Sequence, residues 1–97
     1  MARIRASYNE LNDASRRFAA QAEAIGATLN QVKNSMAPLE GGGWIGEAAS
    51  SFYTEMNGDV LPAVDRLRNA LDVAGQITQQ IANTLKQAEQ QASGLFK

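Results

Sequence analysis

From Ile4 onward, apolar or small residues recur at alternating steps of four and three without a break: Tyr8, Leu11, Ser15, Phe18, Ala22, Ile25, Leu29, Val32, Met36 and Leu39. That alternation is the heptad seam of a helix that packs along its length against another helix, and a strand would need a period of two. The pattern returns from Val60 through Val64, Leu67, Leu71, Ala74, Thr78, Ile81, Leu85, Ala88, Ala92 and Leu95. A shorter stripe, Ile45, Ala49, Phe52 and Met56, runs into the second seam with one extra residue, a small register slip. No stretch alternates with the period of a strand. The expectation is therefore an all-α chain.

The boundaries follow from proline and glycine. Pro38 restricts Ala37, and with Gly41, Gly42 and Gly43 it ends the first helix. Ser7-x-x-Glu10 has the spacing of a capping box, or Ala2 to Arg5 carry the helix further back. Pro62 removes the donor for the carbonyl of Gly58, which predicts a bend near Gly58 but no break. The reading is a single domain over 1–97: helix 1 at about 4–38, a turn at about 39–43, and helix 2 at about 44–93 with a bend near 58–62. Such helices are about 50 to 75 Å long, and a short turn between them makes an antiparallel hairpin. Its seam is predicted to contain Tyr8, Leu11, Phe18, Ile25, Leu29, Val32, Met36, Phe52, Val64, Leu67, Leu71, Ile81 and Leu85. Leu61, Val73 and Ile77 lie beside that seam and widen the apolar stripe past what one partner helix covers. A second hairpin would cover it, so the expected assembly is a four-helix dimer. Ser15 is read as a tolerated small residue, and the Asn- and Gln-rich face between Asn69 and Gln91 as solvated surface.

Composition removes most chemistry. There is no Cys and no His. Disulfide frameworks, thiolate or imidazole metal sites and His-activated nucleophiles are thereby excluded. The remaining carboxylates are dispersed, and Glu47 or Glu55 alone does not make a general base. Neither an enzyme nor a cofactor or metal is expected. Nine basic residues against ten acidic ones form no stripe for nucleic acid. The apolar faces are Ala-rich and flanked by acids as often as bases, which argues against an interfacial membrane helix. No apolar run reaches membrane-spanning length, and the N-terminus has no secretory h-region. Export would have to use a route without a cleaved signal peptide, after folding in the cytoplasm.

Between the two seams stands Trp44-Ile45-Gly46-Glu47-Ala48-Ala49-Ser50-Ser51-Phe52, directly after the three glycines. Trp44 is the only tryptophan. A tryptophan here plugs the end of a hairpin, presents a recognition surface, or does both. Gly46, placed in the first turn of a helix, is read as allowing close contact with a neighbouring element, because Gly43 already supplies a turn.

Length, helical plan and Trp44-x-Gly46 at the turn, continued by Ala48 and Phe52, resemble the WXG100 family, the ESAT-6-like proteins of type VII (ESX) secretion. The resemblance covers the whole chain. It implies a secreted or secretion-associated protein without enzymatic activity, a dimer of hairpins, and Trp44 and Gly46 as part of a composite recognition surface. The implied partners are a second copy of the chain or another WXG100-like protein, a secretion ATPase, or the helical N-terminal domain of a larger toxin that the chain would deliver. The family's tail signal, a Tyr followed four positions later by Asp or Glu, is absent: Tyr8 and Tyr53 are followed by Asn12 and Asn57. A second protein would supply that signal, or Leu95-Phe96-Lys97 would stand in for it.

Overall fold

The computed structural model describes residues 2–95, with side chains described for 7–94; the expected seam position Ile4 and the tail 95–97 lie outside the described side chains. The chain is a helical hairpin, and no strand occurs among the described residues. Helix α1 runs Ala2–Pro38, α2 Glu47–Glu55 and α3 Leu61–Leu95. Ser7 and Glu10 lie inside α1, which extends back to Ala2, the second of the two starts the sequence left open.

Two compact units are present, one made of Met1–Ala20 with Leu71–Lys97 and the other of Gln21–Ala70. In the second, Leu29, Met36 and Leu61 are buried together, with Val32, Tyr53, Met56 and Val64 packed against them. Leu61, expected beside the seam, is therefore in the core of this unit. Ala22 and Ala49 are buried too, and Ile25 is half-buried. Gly26 lies under the stem of Arg68, whose Cδ would stand 3.2 Å from an added Cβ. Arg68 lays its methylenes inward and sends its guanidinium out to Asp65 at 2.7 Å, as long cationic side chains do.

In the first unit, Asn12 meets Gln79 and Ser15 meets Gly75, so numbers rise on one helix as they fall on the other. The Ser15 hydroxyl donates to the Gly75 carbonyl at 2.7 Å. A Cβ on Gly75 would come within 3.2 Å of the Ser15 carbonyl oxygen and 3.3 Å of the Phe18 Cβ. Ser15 is more than a tolerated small residue: it hydrogen-bonds across the closest approach of the two backbones. Gln79 is half-buried and donates to Asn12 at 2.8 Å and to Asn83 at 3.2 Å, so the amide-rich face is not wholly solvated. Around this crossing Tyr8, Leu11, Phe18, Leu71, Thr78 and Leu85 are half-buried.

One seam column of α3 differs from the expected one. Val64, Leu71, Thr78, Leu85 and Ala92 are at least half-buried, as the heptad requires. The companion column is Leu61, Arg68, Gly75, Ala82 and Glu89, one position on from Val60, Leu67, Ala74, Ile81 and Ala88. Leu67 is 52% exposed and Ile81 48%. One residue is a rotation of about 100° on a helix. At Gly75 the physical reason is proximity: a carbonyl of α1 stands 3.2 Å from where a Cβ would be, so a bulky side chain has no room there.

The extra residue between the short stripe and the long seam has a structural form. Met56–Val60 is a single widened turn of the π type, with the Leu61 N–H bonded to the Met56 carbonyl five residues back. A π-turn inserts one residue without breaking the helix. It sits immediately before Pro62, whose missing N–H disrupts the ordinary ladder at this point.

Candidate functional site

The hairpin turn lies within the Gln21–Ala70 unit. After Pro38 the chain makes one wide turn, Leu39–Gly43, closed by the Trp44 N–H on the Leu39 carbonyl at 3.1 Å. A bond five residues back satisfies one of the carbonyls that a helix end leaves free. Gly42 breaks the helical path at φ 127°, a conformation costly for any residue with a Cβ. Trp44 is then extended, at φ −146° and ψ 111°.

Gly46 precedes α2 at φ 122° and ψ 177°, and α2 starts at Glu47, not at Trp44 as its sequence suggests. That backbone region is essentially confined to glycine. Nothing lies within 4 Å of the position a Cβ would take. The expected reason for this glycine, a close contact, does not hold within the chain. Its backbone angles are the reason, and Gly43 does not substitute for it, since the positive φ values belong to Gly42 and Gly46. The Gly46 carbonyl accepts the Ser50 N–H at 2.9 Å and so opens α2.

Because the chain turns back at Gly46, Trp44 lies alongside α2 and meets two rings from it. The indole centroid is 5.5 Å from Phe52, tilted at 53°, and 5.8 Å from Tyr53, edge-on at 78°. Phe52 and Tyr53 are 5.9 Å apart. These are the spacings and tilts that aromatic quadrupoles favour. The Tyr53 hydroxyl donates to the Trp44 carbonyl at 2.8 Å. Partial burial, and secondarily the Glu40 carboxylate, raises the Tyr53 phenol above its ordinary value of 10.0. Glu40 also accepts from the Asn57 amide at 3.2 Å. Trp44 and Phe52 remain 40% exposed, and Ile45 is 79% exposed. Phe52, expected in the seam, instead belongs to this outward group. Of the acids in this stretch of sequence, Glu40 acts on the Tyr53 phenol, and Lys33 lines a cleft together with Glu40 and Asn57. The result is a half-exposed aromatic patch beside the Glu40 carboxylate. Among the described residues, no cluster of three possible metal ligands exists.

A family model described as proteins of 100 residues with WXG matches residues 3–90, which includes this turn. The chain belongs to the WXG100 family. No curated protein and no solved structure gives a match to it. WXG100 proteins are small helical proteins associated with type VII secretion, generally non-enzymatic secretion substrates, and they typically pair with other WXG100 proteins. This WXG100 chain has no helix, among the described residues, long and apolar enough to cross a membrane.

Trp44 and Gly46 were visible from their types and spacing. Tyr53 was not: a phenol nine residues from its acceptor has no sequence signature, and the contact exists only because Gly46 turns the chain back. The Ser15–Gly75 crossing did leave a signal, since a glycine in mid-helix costs about 1 kcal/mol relative to alanine and calls for a packing reason.

Proposed function

We propose that this WXG100 protein acts by protein–protein contact alone, as a helical-bundle dimer that is a type VII secretion substrate or the partner of one, and that Trp44 at the turn is its recognition element. The observation that carries this reading is the pose of Trp44. It is bonded at both its N–H and its carbonyl and is stacked on two rings, yet 40% of it faces solvent. A tryptophan serving only as a plug would be buried. Rigid, half-exposed aromatics are what interface hot spots are made of.

Dimerisation is supported by apolar side chains the hairpin leaves outside: Val60 and Leu67 in one unit, and Val73, Ile77 and Ile81 in the other. The second hairpin is another copy or a different WXG100 protein. The partner reading, in which this chain accompanies the helical N-terminal domain of a larger toxin, draws support from Tyr53: its hydroxyl is engaged within the turn and Asn57 follows it, so it is not a Tyr-x-x-x-acid signal.

The test is Trp44→Ala in the native host. Export should fail while light scattering and circular dichroism of the purified variant show unchanged association and helicity. Normal export of the variant would refute the recognition role. Unfolding of the variant would make Trp44 a core residue.

A further inference from the structure

Trp44 sits in a segment that has little to hold it. Three glycines precede it, Gly46 follows it, and the backbone takes positive φ at Gly42 on one side and Gly46 on the other. Glycines on both sides leave the indole free to swing unless its own groups are tied. From the α1 side, the tie is the Trp44 N–H on the Leu39 carbonyl. From the α2 side, the tie is the Tyr53 hydroxyl on the Trp44 carbonyl.

We infer that Tyr53 is a positioning residue for the turn: its hydroxyl, by holding the Trp44 carbonyl against α2, fixes the direction in which the indole faces a partner. This rests on the recognition role proposed for Trp44. Tyr53 suits the task because its ring is anchored at its base. It packs against the Leu29–Met36–Leu61 core, so the hydroxyl projects from a fixed point to the turn. The two contacts of Tyr53 with Trp44 are separable. The ring supplies an edge-on contact at 5.8 Å that phenylalanine reproduces, whereas the hydroxyl supplies a bond that phenylalanine lacks. Phe52 supports the indole from the other side but offers only a ring, so it steers Trp44 without locking the backbone.

Tyr53→Phe separates positioning from folding, and the single tryptophan makes the readout specific. In the purified full-length protein, time-resolved anisotropy reports the freedom of the indole directly. Losing one hydrogen bond of ordinary net strength should raise the population of released indole about 2- to 10-fold. Helicity and association should match the native chain, because the core contacts of the ring are kept. Export in the native host should then fall, with Trp44→Ala run beside it. Unchanged indole freedom in Tyr53→Phe would overturn the inference. So would freed indole with normal export while Trp44→Ala is not exported, and in that case the recognition role of Trp44 would survive. If Trp44→Ala is exported normally, the recognition role itself fails and the inference fails with it. Tyr53→Leu, which removes ring and hydroxyl together, should free the indole more than Tyr53→Phe; equal freedom in the two would show that the hydroxyl alone does the holding.

Discussion

Replacing Gly75 by alanine should destabilise the protein, although alanine is the better helix former. The added methyl stands 3.2 Å from the Ser15 carbonyl oxygen, 3.3 Å from the Phe18 Cβ and 3.7 Å from the Ala19 nitrogen. Two of these are backbone atoms and the third is a Cβ, so none moves aside by a rotamer change. The helices must part by a few tenths of an ångström. Overpacking of this kind costs about 1 to 3 kcal/mol. Parting also stretches the 2.7 Å bond from Ser15 to the Gly75 carbonyl, whose net contribution is about 0.5 to 1.5 kcal/mol. Against this, the propensity gain is about 0.8 to 1 kcal/mol. The net expectation is a loss of about 0.5 to 3.5 kcal/mol. Urea unfolding followed by circular dichroism measures it, at one fixed protein concentration because association would contribute to stability. Ser15→Ala in both backgrounds closes a cycle, and its effect should shrink once Gly75 is alanine. A Gly75→Ala protein as stable as the native one, or more so, would refute the close crossing.

Gly58→Ala is the matching control, since nothing lies within 4 Å of its Cβ position and its φ is not positive: the same unfolding assay should show a gain of up to about 1 kcal/mol. The Tyr53–Trp44 bond also has a pH signature. Folding raises the phenol above 10.0, so the protonated donor is favoured in the folded state, and its stabilisation is complete below about pH 10 and lost as pH rises through the raised folded value. Indole anisotropy compared between native protein and Tyr53→Phe should therefore differ by a constant amount from pH 6 to 9 and converge only at higher pH; convergence below pH 9 would count against the bond.

The α1 seam was legible because its buried positions are mostly bulky and apolar: Leu29, Val32, Met36 and Phe18 mark it by type as well as spacing. Half of the α3 seam was legible for the same reason, through Val64, Leu71 and Leu85. The other half was not, because its members are Arg68, Gly75, Ala82 and Glu89, none of which reads as core. Hydrophobic pattern selects the bulkiest column, whereas the backbone approach at Ser15 requires Gly75. The register slip was visible as one surplus residue, but only the structure shows it taken up as a widened turn at Met56–Val60. At the turn, residue types exposed Trp44 and Gly46. The reason for Gly46 lay in a pair of dihedral angles, and the role of Tyr53 lay in a contact those angles create.

The exposed isoleucines of α3 carry their own consequence. A helix that spent Ile77 and Ile81 on its hairpin would have no reason to leave each about half exposed. That arrangement suits a helix that keeps one apolar face for its hairpin and offers another to a second chain. Ile77 and Ile81 are one turn apart on α3, in the unit that contains the Ser15–Gly75 crossing. Burying the exposed half of an isoleucine is worth about 1 kcal/mol. In a two-fold symmetric dimer each residue counts twice. The pair then contributes about 4 kcal/mol, or about a thousandfold in the dissociation constant. Ile77→Ser combined with Ile81→Ser should weaken self-association by about that factor in light-scattering dilution series. The helical signal at high concentration should change little, because neither side chain fills the hairpin interior. If the double variant associates to the same extent as the unsubstituted chain, α3 does not use this face to pair, and the exposed residues serve another partner.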